Sequence, residues 1–129
     1  MSDPNVIRTG APASCLDLKV IEALRDLGGA DDPGLLVELI DVFLKDSPER
    51  VEGVDAAVRN QDAEGLAAAA HGLKSSAANM GASRVSKLCR TLEAMGRGND
   101  LQGAAELLQE LKAEFSLVES AFEEIRSRE

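Results

Sequence analysis

One side chain in this sequence suits nucleophilic chemistry near neutral pH: His71, the single histidine among 129 residues. An imidazole, with an ordinary pKa of about 6.5, offers a nitrogen lone pair that can take up a phosphoryl group. Lys74 follows three residues later, one helical turn away, and is a point positive charge suited to the oxygens of such a group during transfer. Nothing else for catalysis accompanies this pair. The sequence has no phosphate-cradling glycine loop, no nucleophile-base-orienter set and no dinucleotide-binding motif. Cys15 and Cys89 are too few for a disulfide scaffold and lack the neighbouring histidines of a zinc site. The residues can hold a phosphoryl group, but another protein must bring it and take it away.

The helix that carries His71 decides whether the ring is available. Leu66, Ala70, Leu73, Ala77 and Met80 form an apolar stripe. At 100° per residue from Leu66, the stripe stays within about 40° of zero, whereas His71 falls at about 140° and faces water. Its neighbours on that sector are Ala67, Lys74, Ser75 and Ala78, and all but Lys74 are small, although an exposed helix face ordinarily carries long charged side chains. Alanine's helix propensity accounts for part of this. A bare face around one tall imidazole also lets a partner's backbone approach closely.

Charge points to the same place. The chain has 23 acidic and 14 basic residues, a net charge of −9, which disfavours nucleic acid and anionic membranes as partners. Yet the 28 residues from Gly65 through Leu92 contain no Asp or Glu, and their charged residues are Lys74, Arg84, Lys87 and Arg90. A positive patch, free of carboxylates, is therefore expected around His71, with Arg84, Lys87 and Arg90 as candidate partner-binding residues beside Ala67, Ala68, Ser75 and Ala78.

The elements that must position these residues read as all-α. Apolar residues make up 44% of the chain but aromatics only 2%, so the core is aliphatic and strand-favouring residues are sparse. Residues 1–16, rich in Pro, Gly and Ser, read as a flexible lead-in, and 127–129 as a tail. A short helix from Asp17 carries Val20, Leu24 and Leu27 on one face and stops at Gly28-Gly29. A second opens at Asp32-Pro33, with Leu36, Leu39, Ile40 and Phe43, and Ser47-Pro48 opens a third with Val51, Val54 and Val58. The fourth spans Ala63 to Asn79, capped by Asp62, with Gly81 in a left-handed conformation. The fifth spans Ala82 to Met95 and is closed by Gly96-Arg97-Gly98-Asn99. In the last, Leu101, Ala104, Leu108, Leu111, Phe115, Val118, Phe122 and Ile125 alternate steps of three and four. Short loops between long helices predict an up-and-down antiparallel four-helix bundle with two short additional N-terminal helices. No leader peptide and no apolar run of spanning length is apparent, so a cytoplasmic chain is expected.

The run Ala70-His71-Gly72-Leu73-Lys74-Ser75-Ser76-Ala77-Ala78-Asn79-Met80-Gly81-Ala82 closely resembles the signature of histidine-containing phosphotransfer domains. Leu88-Cys89-Arg90 with Leu92-Glu93, Phe43 with Ser47-Pro48, and the Leu-rich last helix extend the resemblance over about residues 17–126. It implies a phosphorelay intermediate without kinase activity of its own. His71 would accept phosphate from one receiver-domain aspartate and pass it to another, with Mg²⁺ supplied by the receiver and no cofactor of its own. Its partners would be response-regulator receiver domains and a sensor, or hybrid, histidine kinase, with the chain itself a monomer. Lys74 matches the family's lysine near the phosphohistidine, and Lys87 and Arg90 are the candidates for a helping side chain from the next helix. Ser75 stands where many members have Gly, and Ala77 where many have Ser, so position 77 supplies no hydrogen bond to the ring. Two other readings compete: a non-catalytic helical adaptor binding a signalling partner through the bare face, and the phosphoacceptor segment of a sensor kinase. The latter usually has an acidic residue after its histidine, where this sequence has Gly72.

Overall fold

The computed structural model describes residues 15–129, and among these the regular structure is helical throughout. Five helices follow one another: α1 (Leu18–Gly28), α2 (Leu35–Arg59), α3 (Ala63–Asn79), α4 (Ser83–Arg97) and α5 (Ala104–Arg128). α2 packs on α3 and α5, α4 packs on α3 and α5, and α1 lies against α2. Contacts between neighbours show their directions. Lys74 meets Ser86 near one end of the α3–α4 pair and Ala67 meets Gly96 near the other, so the two helices run antiparallel. Asp41 pairs with Arg126, and Asp55 with Lys112, which makes α2 and α5 antiparallel as well.

The core is the aliphatic one that the composition requires. Leu66, Ala70, Leu73, Ala77 and Met80, the expected stripe of α3, are all buried, as are Leu108, Leu111, Phe115, Val118 and Phe122 of α5. The chain's three phenylalanines sit together there: Phe43 lies 6.0 Å from Phe115 and 5.2 Å from Phe122, ring centre to ring centre. Asp62 caps α3 by accepting from the Gly65 amide, and Gly81 turns the chain with φ +79°, a conformation that a Cβ would strain.

Several expected boundaries move. The second and third helices are one continuous helix, α2, with Pro48 inside it, so the two short extra helices reduce to α1 alone among the described residues. Pro48 removes one amide donor, but the buried series Leu36, Ile40, Phe43, Ser47, Val51 and Val54 runs straight through it, and that packing outweighs one lost hydrogen bond. α1 is also rotated from its expected face. Ile21 is buried and Leu27 is 74% exposed, because the amide of Asp17 donates to the carbonyl of Gly81 and Gly28 presses against Leu35. Cys15 and Leu16, expected in the lead-in, are buried, and residues 127 and 128, expected in the tail, are the last of α5. Residues 1–14, the rest of the expected lead-in, lie outside the described residues.

The α3–α4 contact is a close one, and small residues make it so. A Cβ at Gly96 would sit 2.6 Å from the carbonyl oxygen of Ala63 and 2.7 Å from the amide nitrogen of Ala67. Both are backbone atoms that cannot step aside. Gly96→Ala is therefore expected to force α4 away from α3 and to cost about 1–3 kcal/mol, the usual penalty for overpacking, read as a lowered midpoint in thermal unfolding by circular dichroism.

Candidate functional site

His71 stands on the outer face of α3 with its side chain 58% exposed. Ala68, Ser75 and Ala78 are exposed around it and Ala67 half-buried, so the bare sector expected from the helix wheel exists and the imidazole rises above it. Lys74, one turn on, is half-buried at the edge of the helix packing. Its stem lies along the α3–α4 groove, where the Ser86 hydroxyl donates to the Lys74 carbonyl at 3.2 Å.

Beneath the histidine lies a group that the acid-free window concealed. Glu93 of α4, the first residue after that window, is buried and meets three cationic or donor groups. The Nδ1–H of His71 donates to its Oε2 at 3.1 Å, the Lys74 ammonium to its Oε1 at 2.6 Å, and Arg97, one turn along α4, to Oε2 at 2.5 Å. The Lys74 ammonium, with help from the imidazole and Arg97, holds the Glu93 carboxyl down at about 2, against the burial that by itself would raise it. Glu93 is therefore ionised at neutral pH and can only accept hydrogen bonds. The neutral ring of His71 must then carry its proton on Nδ1. Its Nε2 is left with a free lone pair.

This corrects the expectation of a patch free of carboxylates. The local balance of Lys74, Arg97 and Glu93 is still positive, but one carboxylate sits at its centre. The candidate helpers on α4 also change. Lys87 and Arg90 are exposed and have no hydrogen bond or ion pair to His71 or Glu93, and Arg84 reaches the other way to Glu114 of α5 at 3.4 Å. On α4 Arg84 lies about 180° round from Glu93, which is why it faces a different neighbour. The residue that does arrive, Arg97, lies in a stretch that reads as a closing loop because Gly96 and Gly98 flank it. α4 continues through it, and the spacing of Glu93 and Arg97, four residues apart, was the signal available.

Two further features frame the site. Gly72 lies under the guanidinium of Arg50 from α2, where a Cβ would come within 2.9 Å of Nη1, so a third basic residue reaches the backbone next to the histidine. Cys89, one turn before Glu93, is buried behind it. Burial and the Glu93 charge push its thiol up to about 12, which leaves it neutral and unreactive. Among the described residues no group of three or more His, Cys, Asp or Glu side chains could hold a metal ion. No helix there is long and apolar enough to cross a membrane.

Comparison with known proteins places this geometry. The family model of the Hpt domain matches residues 38–121, about two thirds of the chain and all of α3 and α4. The chain belongs to the Hpt domain family. Among solved structures, the crystal structure of histidine-containing phosphotransfer protein B from Pseudomonas aeruginosa is similar, with a TM-score of 0.82 and 33% sequence identity. The match covers 91% of this chain and 98% of that one. Comparison with curated protein sequences gives no significant match. Membership in the Hpt family carries a phosphotransfer role in two-component signalling, and Hpt proteins are carriers rather than kinases.

In this Hpt chain the Glu93 carboxylate ties folding to pH. Its folded value of about 2 lies below the ordinary 4.5, so its contribution to stability is complete above about 4.5 and lost as pH falls toward about 2. Glu93→Gln removes the titrating group. The unfolding midpoint of the wild-type protein is therefore expected to drop more steeply than that of E93Q over this acid window, in parallel thermal melts.

Proposed function

We propose that this chain is a phosphorelay intermediate in which Nε2 of His71 accepts a phosphoryl group from a receiver-domain aspartate and passes it to the aspartate of another receiver. The observation that carries this reading is the Nδ1 contact to a buried carboxylate on an exposed ring, which fixes the tautomer and leaves Nε2 open to solvent. In the transfer step the Nε2 lone pair forms the nitrogen–phosphorus bond as the aspartyl phosphorus–oxygen bond breaks, and the released electron pair returns to the aspartate carboxylate. Lys74 stands one turn away as positive charge for the phosphoryl oxygens, a role that requires it to share itself between Glu93 and the incoming group.

The small exposed side chains of Ala68, Ser75 and Ala78, with half-buried Ala67, form the docking surface, and exposed Lys87 and Arg90 supply its positive rim, which Arg84, turned toward α5, does not join. The α2–α5 helices act as the up-and-down bundle that presents this face. Mg²⁺ belongs to the receiver in this scheme. The protein works as a monomer in the cytoplasm, where receivers and the sensor or hybrid kinase that feeds them are found.

Incubation with a phosphorylated receiver is expected to transfer acid-labile, alkali-stable label to the wild-type protein and none to His71→Gln. Equal labelling of the two would overturn the reading, and so would absence of label from both, which would leave a plain adaptor in its place. Transfer is also expected to slow as salt is added, since exposed charges are screened within about 10 Å at 0.1 M. A rate that stays constant across a salt series would remove the basic residues from the docking step.

A further inference from the structure

The contact between His71 and Glu93 also constrains the ring after it has been phosphorylated. With Nε2 occupied, Nδ1 is the remaining ring nitrogen, and it sits 3.1 Å from an oxygen of a carboxylate that accepts but cannot donate. If Nδ1 keeps its proton, the ring is a cation hydrogen-bonded to an anion. If Nδ1 loses it, two lone pairs face each other at hydrogen-bond distance on a buried carboxylate that cannot turn to water. The charged groups in contact with this pair are Lys74 of α3 and Arg97 of α4, both on Glu93, while Arg50 of α2 lies over the neighbouring Gly72. These cations oppose a further positive charge, but Lys74 and Arg97 spend theirs on the same carboxylate, and the phosphoryl group brings negative charge of its own. The group in contact with Nδ1 is Glu93.

We propose that Glu93 keeps Nδ1 of phosphorylated His71 protonated at neutral pH, so that the phosphoryl group enters and leaves the ring with no proton changing hands. The proposal rests on His71 being the phosphoacceptor. On entry, Nε2 bonds to phosphorus, the aspartyl phosphorus–oxygen bond breaks toward the carboxylate, and Nδ1–H stays in place on a ring that is now cationic. On departure, the nitrogen–phosphorus electron pair returns to Nε2 and restores the neutral Nδ1–H imidazole. A phosphorylated ring without that proton would have to leave as an imidazolate, a far poorer leaving group, or first wait for a proton. Glu93 is thus a positioning residue that makes the phosphohistidine fast to exchange and short-lived. A glutamine in its place could turn its amide to donate to a bare Nδ1 and would lose this bias.

The single histidine makes the test direct, because its ring gives the only imidazole signals in the chain. The full-length protein, labelled with ¹⁵N-histidine, is phosphorylated with phosphoramidate, a donor that needs no receiver. The Nδ1 shift is then followed between about pH 6 and about pH 9, spanning the ordinary histidine range. Wild-type Nδ1 is expected to keep its proton to a pH about one unit or more above that in phosphorylated Glu93→Gln. The wild-type label should correspondingly hydrolyse several-fold faster at neutral pH. Equal titration midpoints in the two proteins, or a bare-nitrogen shift for wild-type Nδ1 at neutral pH, would overturn the proposal, and the second result needs no variant. Failure of phosphoramidate to label His71 at all would instead bring down the phosphoacceptor reading, and this one with it.

Discussion

The site depends on a single buried anion. Glu93 sits at the α3–α4 contact with its carboxylate satisfied by an imidazole, an ammonium and a guanidinium, two of them from the facing helix. A buried carboxylate with no such partners would be costly, and removing one partner leaves the rest of the charge uncompensated. The cost of burying the anion and the orientation of the histidine are therefore the same interaction. His71 is held in one tautomer by the group whose burial it helps to offset.

That arrangement requires the two helices to lie close, and the sequence of α3 and α4 permits it through small residues. Ala67 on one helix meets Gly96 on the other, and the Ser86 hydroxyl fixes the register near the Lys74 end. Larger side chains along this seam would widen it and draw Glu93 out of reach of His71. The small residues of α3 thus serve two surfaces at once. Those facing inward bring α4 close, and those facing outward leave the imidazole uncovered for a partner.

Much of this was legible from residue pattern alone, for reasons that differ by element. α3 was legible to the residue because its cap, its stripe and its terminal Gly81 all agree. α2 was not, because Ser47-Pro48 is a strong local start signal that longer-range packing overrides. α1 showed the opposite failure: Val20, Leu24 and Leu27 are periodic, yet an anchor from Asp17 to Gly81 sets the rotation and exposes Leu27. Arg97 was hidden between two glycines that read as a loop, although Gly96 is there for close helix packing rather than for a turn.

The sequence by itself determined an all-helical chain, an aliphatic core, and a histidine standing on a bare and locally basic face, because hydrophobic period and composition act over a few turns of helix. Only the tertiary structure decided which charges meet. Glu93 lies 22 residues beyond His71, and Arg97 further still. Their arrival beneath the ring follows from the crossing distance and rotation of two helices, quantities that no local pattern encodes.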